Sequence, residues 1–247
     1  MEIGKKDDFW TISKKFRNDI GIFFENAKDL NICEIGSYKG HTTNYLSNIF
    51  KKVYPVDINY KNHIISKNFN KNKKNIEYIH LNLYKDDWKE IPDDVDVVLI
   101  DAHHDYKFCK MDVLNSLKRF KKLKYIIFDD YAIYEGVKKT VNEFIDSKII
   151  YPVKNVGLDS NELSKIKTLN DIAKSQNLIL DSSEGIICKL INKPDNIITT
   201  PLDLLHINLF TCNNCGTIFK KIYHYNNHKK NCNLDNIKKI IHDLNNN

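Results

Sequence analysis

The 247-residue sequence predicts an α/β chain: a doubly wound, mostly parallel sheet followed by a small metal-binding unit. Three observations carry that expectation. Short apolar strands alternate with helical segments of about 10–15 residues, the pattern of βαβ units. The first strand ends in an acid and runs into a glycine turn that opens a helix. Three of the six cysteines cluster with a histidine near the C-terminus at metal-ligand spacing.

Phe9, Trp10, Ile12, Phe16, Ile20, Phe23 and Phe24 recur at intervals close to a helical face, so the chain opens with a helix. Alternation then begins. Residues 31–35 read as a strand, 40–50 as a helix, 53–57 as a strand and 60–69 as a weaker helix. Strands at 76–81 and 95–100 follow, then a helix from about 106 to 120, a strand at 125–128 and a helix from 136 to about 146. Right-handed crossovers leave a doubly wound, Rossmann-like sandwich as the topology. Residues 149–156 and 185–190 supply two final strands. Between them, 159–180 is polar and partly helical, an insertion expected at the sheet's edge.

Apolar residues make up 42% and charged residues 28%, a globular balance, and the 8 glycines and 5 prolines argue against a collagenous or broadly disordered chain. No stretch approaches the roughly 20 apolar residues of a membrane span, and the first ten residues lack the apolar core of a secretory signal. No membrane partner is therefore expected. An intracellular, cytoplasmic location follows, where thiols stay reduced; the same argument admits the nucleus. Cys33, Cys109 and Cys188 stand alone in apolar or helical contexts and are expected to be buried thiols. The net charge of +6 permits a polyanionic partner without requiring one.

Residues 31–40 read Asn-Ile-Cys-Glu-Ile-Gly-Ser-Tyr-Lys-Gly, with Thr42 and Thr43 in the first turn of the following helix. Asp57 ends the next apolar strand, where a carboxylate can accept hydrogen bonds from both ribose hydroxyls of a nucleoside. A dinucleotide site needs G-x-G-x-x-G, so that pyrophosphate rests on bare helix amides. Here Tyr38 replaces the middle glycine, and Glu34 stands just before the loop. That carboxylate would repel pyrophosphate and suits a ligand with a cationic amino-acid end.

The segment resembles the first motif of class I methyltransferases, E-x-G-x-x-x-G, in the E-I-G-S-[YF]-x-G-x-[ST]-T form of a group related to catechol and macrolide-sugar O-methyltransferases. The resemblance implies S-adenosylmethionine as cofactor. It implies that Glu34, Gly36, Ser37 and Gly40 surround the methionine part, that Asp57 holds the ribose, and that Asn82 lies near adenine. Tyr38, Thr42 and Asp101 complete the implied cofactor-binding set.

Two strand ends are crowded with titratable groups. The fourth strand runs into Asp101-Ala102-His103-His104-Asp105-Tyr106, and the fifth into Asp129-Asp130-Tyr131. Adjacent carboxylates repel unless protons or a cation neutralise them. Hard oxygen ligands suit Mg²⁺ or Ca²⁺, and a nearby histidine adds Mn²⁺. I-D-A-H-H-D-Y is similar to the family's I-D-G-D-H-S-Y, and D-D-Y followed by G-V-K-K-T-V-N-E-F is similar to its fifth-strand motif. By that resemblance Asp101, Asp129 and Asp130 would hold a divalent ion, and His104 would be a general base beside Asp101. His103 stands where the family has an acid. A hydroxyl is a poor nucleophile at neutral pH, so a metal or a neutral imidazole would each contribute about 10²–10⁴-fold.

Cys212, Cys215, His228 and Cys232 follow the pattern C-x2-C-x12-H-x3-C. Two thiolates on a tight knuckle, with His and Cys at i and i+4 on one helical face, make a closed tetrahedral site for structural Zn²⁺. The segment resembles a ββα zinc finger with Cys in place of the last His and Phe219 at its core aromatic position. Four lysines and no acid between 207 and 232 suit nucleic acid or protein as a partner. The expected organisation is a methyltransferase domain at 1–191, a linker at 192–206, a zinc finger at 207–233 and a short helix and tail at 234–247.

The leading reading is an S-adenosylmethionine-dependent methyltransferase acting on an unidentified hydroxyl-bearing acceptor. The alternative is a zinc-finger nucleic-acid-binding protein whose Rossmann-like domain has no catalysis.

Overall fold

Strands that are apolar on both faces must be covered on both faces, and a sheet between two helical layers is the arrangement that does so. The computed structural model describes residues 11–193 and, as backbone strands only, 210–211 and 218–219. Helix α1 (Lys14–Phe23) leads into β1 (Asn31–Ile35), α2 (His41–Ser47), β2 (Lys52–Asp57) and α3 (Tyr60–Phe69). Then come β3 (Ile79–His80), β4 (Val97–Ile100), α4 (Tyr106–Arg119), β5 (Tyr125–Phe128) and α5 (Glu135–Asp146). Strand β6 (Ile150–Val156), helices α6 (Ser160–Lys165) and α7 (Lys167–Ser175), and strand β7 (Gly185–Leu190) complete the domain.

The seven strands lie in the order β3-β2-β1-β4-β5-β7-β6. The first five are parallel, β7 is antiparallel to β5, and β6 is antiparallel to β7. Alternation along β1 divides the core. Ile32 packs with Ile12, Phe16, Ile20 and Phe24 on one face, and Cys33 and Ile35 with Cys109, Val113 and Leu117 on the other. All three isolated cysteines are buried and free, as expected.

The expected strand at 76–81 is reduced to Ile79–His80 plus an isolated bridge between Val53 and Ile76. In the insertion that follows the edge strand β6, α6 and α7 bury Leu163 and Leu169 against Ala132, Ile133 and Leu158. Gln176 fixes the contact, accepting from the Glu135 amide at 3.2 Å and donating to the Ile133 carbonyl at 3.3 Å.

A buried carboxylate anchors α1. Glu184 accepts from the Ser13 amide at 2.9 Å, the Ser13 hydroxyl at 2.5 Å and the Leu158 amide at 3.1 Å. Ser13 also caps α1, its hydroxyl accepting from the Phe16 amide at 3.0 Å. One serine thus starts the helix and ties it to the last strand.

Strands β8 (Phe210–Thr211) and β9 (Ile218–Phe219) pair antiparallel, Phe210 opposite Phe219. Cys212, Cys215, His228 and Cys232 lie outside the described residues, as do 234–247. Among the described residues no helix is long and apolar enough to cross a membrane.

Candidate active site

In an open α/β sheet ligands bind beyond the carboxyl ends of the strands, where the strand order reverses and neighbouring loops diverge. That point lies between β1 and β4. A cavity of about 400 Å³ opens there, lined among others by Gly36, Tyr38, Asp57, Asn82, Asp101 and His104. The volume lies within the range of small-molecule sites.

The turn after β1 is held by the neighbouring strand. Gly36 and Ser37 donate their amides to the Val56 carbonyl at 2.9 and 3.2 Å, and Gly40 donates to Ser37 at 3.0 Å. Gly36 has φ +91°, and a Cβ there would sit 2.1 Å from the Asp101 carbonyl oxygen. Gly40 has φ +80°, and a Cβ would meet Ser66 Oγ at 1.9 Å. Both glycines are therefore required by the protein's own packing, a reason the ligand-approach argument did not contain. Tyr38, with φ +46°, carries the same left-handed conformation at a steric cost.

Asp57 is buried at the cavity wall. Its Oδ2 accepts from the Tyr38 amide at 2.8 Å and its Oδ1 from the Asn59 amide at 2.6 Å. Burial pushes its pKa up to about 6, against the pull of those two amides. Glu34 is placed differently from the expectation. It is 2% exposed, accepts from Thr43 Oγ1 at 2.5 Å, and stands behind the wall with Ser37, Gly40 and Thr42. Burial holds its carboxyl well above the usual range, with Thr43 opposing. Asp57 and Asp101, by contrast, line the cavity itself.

The two crowded strand ends converge. His104 Nε2 lies 3.0 Å from Asp130 Oδ2 and 3.8 Å from Asp101 Oδ1. The shorter contact has ion-pair distance, although its N–H is not aligned as a hydrogen bond. The imidazole stacks on the Tyr134 ring, 4.4 Å between centroids at 16°. Burial alone would lower the His104 pKa, but the charges of Asp130 and Asp101 outweigh it and push the value to about 10. Burial also raises Asp101, against His104, and Asp101 is hydrogen-bonded to the Asp129 carboxyl. Asp130 reaches this position from a left-handed φ of +57°.

The neighbouring carboxylates favour the imidazolium form of His104, which has no lone pair to accept a proton, whereas the expected general base is the neutral ring. A divalent ion between Asp101, Asp129 and Asp130 would compete with the His104 imidazolium for the same carboxylates. Among the described residues no three His, Cys, Asp or Glu side chains are grouped to hold a metal. His103 turns aside: its Nδ1 accepts from the Asp105 amide at 3.3 Å and its ring packs 4.3 Å from Phe108.

Asn82 is on the wall as expected, but its amide oxygen accepts from the Tyr84 amide at 3.1 Å, holding the turn after β3. Sequence reasoning missed Asn59, Asn62 and Tyr84 on the wall, and Tyr134 behind His104. Asn59 carried a signal: it follows Asp57 and caps α3, its side chain accepting from the Lys61 amide at 3.0 Å. Tyr134 carried none.

Residues 33–131 match a family model described as a methyltransferase domain. No curated protein sequence matches the chain. Among solved structures, SMU.1697c of Streptococcus mutans, assigned as a methyltransferase and solved with SAH, superposes with a TM-score of 0.51 at 14% identity, over 72% of this chain and 99% of that one. The O-methyltransferase from Bacillus cereus, in complex with SAH, superposes at 0.50 with 15% identity, over 72% of this chain and 80% of that one. At such identities the likeness is one of fold. Sequence match and fold point the same way: residues 33–131 match the methyltransferase-domain model, and the chain shares the Rossmann-like α/β fold of these structures.

Proposed function

We propose that the chain is an S-adenosylmethionine-dependent methyltransferase acting on a hydroxyl-bearing acceptor. The observation that carries this reading is the cavity wall: Asp57 stands there apart from the Asp101–His104–Asp130 group, and among the described lining residues there is no lysine or arginine. A phosphate-bearing cofactor needs cations or bare helix amides, whereas a sulfonium and an ammonium are favoured by carboxylates. The SAH complexes of two proteins with the same fold support the assignment.

The donor supplies a methyl group on positive sulfur, and its displacement by oxygen is in line. The protein's work is therefore alignment and proton management. Asp57, fixed by two amides, accepts from the ribose hydroxyls. The proton of the acceptor hydroxyl passes to Asp101, whose burial makes it a stronger base than a surface carboxylate. His104, paired with Asp130 and stacked on Tyr134, holds Asp101 in place. No step is assigned to a divalent ion. Calorimetric titration of the full chain with S-adenosylmethionine and SAH tests the reading: micromolar binding that Asp57→Ala abolishes is expected, and no binding of either compound by folded protein would overturn it.

For the C-terminus, the spacing of Cys212, Cys215, His228 and Cys232 supports one structural Zn²⁺, and the backbone pairing of 210–211 with 218–219 suits the finger's hairpin. Nucleic acid or protein is the partner class this unit would serve.

A further inference from the structure

We propose that the starts of β5 and β6, together with the end of β7, form a surface that binds single-stranded nucleic acid, at the opposite end of the sheet from the cavity. Residues 118–124 hold five cations and no acid. Lys118 and Arg119 belong to the last turn of α4, where positive charge opposes the helix dipole. Lys121, Lys122 and Lys124 lie beyond the helix and are exposed.

Backbone pairing brings further lysines to them. Leu190 donates its amide to the Lys124 carbonyl at 2.8 Å, which sets Lys189 beside the start of β5. Asn192 Nδ2 donates to the Lys148 carbonyl at 3.0 Å. Lys193 Nζ donates to the Phe120 carbonyl at 3.0 Å, and burial and the charge of Lys121 lower its pKa.

Lys124 is paired with Asp96 at 2.9 Å, and Asp146 is an exposed acid two positions before Lys148. Among the described residues Lys121, Lys122, Lys148, Lys189 and Lys193 have no carboxylate partner. Elsewhere on the surface Lys89, Lys138 and Lys167 each have an aspartate within 2.9 Å. Like charges are thus gathered here without compensation, and a chain of phosphates supplies it.

An exposed ring among the lysines selects the kind of polyanion. Register places Tyr125, Lys189 and Tyr151 in one row across β5, β7 and β6, on the same face. Tyr125 packs edge-on against Phe23 and Phe24, whereas Tyr151, on the edge strand, is 58% exposed. A base can stack on that ring while its flanking phosphates meet the lysines. A duplex hides the faces of its bases, and a phospholipid headgroup has none, so an unpaired strand is the polyanion that uses both features.

Fluorescence anisotropy of the full chain with labelled oligo(U) RNA of about 15 nucleotides, in salt from about 50 to 200 mM, tests the surface. Binding is expected, and Lys121→Gln, Lys122→Gln and Lys189→Gln combined should weaken it about ten-fold or more at low salt. The combined variant should also flatten the slope of log affinity against log salt by about 2, since each phosphate contact on a single strand contributes about 0.7. Tyr151→Ala should weaken binding about five-fold or more without changing the slope, and Tyr151→Phe should keep wild-type affinity. All four side chains are exposed, so melting temperatures are expected to stay the same. The readout involves no cofactor, so failure of the S-adenosylmethionine reading would leave it standing. Absence of binding at low salt, or wild-type affinity in the triple glutamine variant, would overturn the proposal. So would retention on phosphatidylserine vesicles without binding of oligo(U). Unaltered affinity in Tyr151→Ala, or an oligo(U)–oligo(A) duplex that binds as tightly as the single strand, would remove stacking and the single-strand assignment with it.

Discussion

His104 Nε2 stands 3.0 Å from Asp130 Oδ2, and these two residues come from loops after different strands, 26 positions apart in sequence. The contact sets a histidine that the resemblance casts as a general base beside a carboxylate that favours its cationic form. Because the folded-state pKa is raised from 6.5 to about 10, the ion pair contributes stability fully below pH 6.5 and loses it as pH rises through 10. Unfolding free energy is expected to decline between pH 7 and 10, and His104→Ala should flatten that decline while costing about 1–3 kcal/mol at pH 7. Denaturation at a series of pH values, with the imidazole followed by NMR, checks both. A His104 resonance titrating near 6.5 would contradict the pairing.

Asp57 works in the opposite direction. Its folded value, raised from 3.8 to about 6, means that burying the ionised form costs stability above pH 6, a cost absent below pH 3.8. Ligand affinity has the reverse dependence, since the ribose hydroxyls donate to the carboxylate. The SAH dissociation constant is expected to be flat above pH 7 and to rise as pH falls through 6, approaching about ten-fold per pH unit. Asp57→Asn should remove the dependence along with most of the affinity. A pH-independent wild-type affinity between 5 and 8 would remove Asp57 from the ribose.

These two residues show what the sequence contained and what it did not. The apolar runs placed β1, β2, β4 and β5 to within two residues, and the acids ending those strands marked the correct edge of the sheet. Periodicity is a local property, and so it was legible. The antiparallel placement of β7 between β5 and β6 left no local trace, because a strand buried on both faces looks the same in either direction. The burial of Glu34 was not legible for a related reason: a residue one position before a turn can face ligand or core, and the Thr43 hydroxyl opposite it has no local signature. The His104–Asp130 pair depends on Asp130's φ of +57° and on Tyr134, neither of which has a sequence signature.

Gly36 offers a test that separates backbone packing from ligand contact. With φ +91° and the Asp101 carbonyl 2.1 Å from any Cβ, Gly36→Ala must displace either the turn or the end of β4. A loss of about 2–4 kcal/mol is expected from strain and displaced packing together, measured by urea denaturation without ligand. A variant as stable as wild type but unable to bind SAH would show that the ligand, not β4, requires the glycine.

The C-terminal cysteines carry a prediction that is independent of the cavity. Metal analysis of full-length protein purified without chelator is expected to give one zinc per chain, and Cys215→Ser or His228→Ala should lose it. Because structural zinc sites supply their unit's folding energy, removal by a strong chelator should alter amide exchange at 207–233 and leave SAH affinity unchanged. Full-length protein with no zinc would refute the assignment.

Glu184 yields the clearest prediction for stability. Three donors converge on a carboxylate that is 0% exposed: the Ser13 amide, the Ser13 hydroxyl and the Leu158 amide. Removing the acid leaves two buried amides without this acceptor and frees the start of α1, the helix whose Ile12, Phe16 and Ile20 cover one face of the sheet. Each stranded donor costs about 1–3 kcal/mol, so Glu184→Ala should lose about 3–5 kcal/mol. Glu184→Gln retains one oxygen and should lose about half as much. Ser13→Ala keeps the amide bond and removes the hydroxyl bond and the helix cap, for about 1–2 kcal/mol. If Glu184 acts chiefly through Ser13, the double variant will fall short of the sum of the singles in denaturant titrations. Full additivity would mean that Leu158 alone carries the carboxylate's contribution.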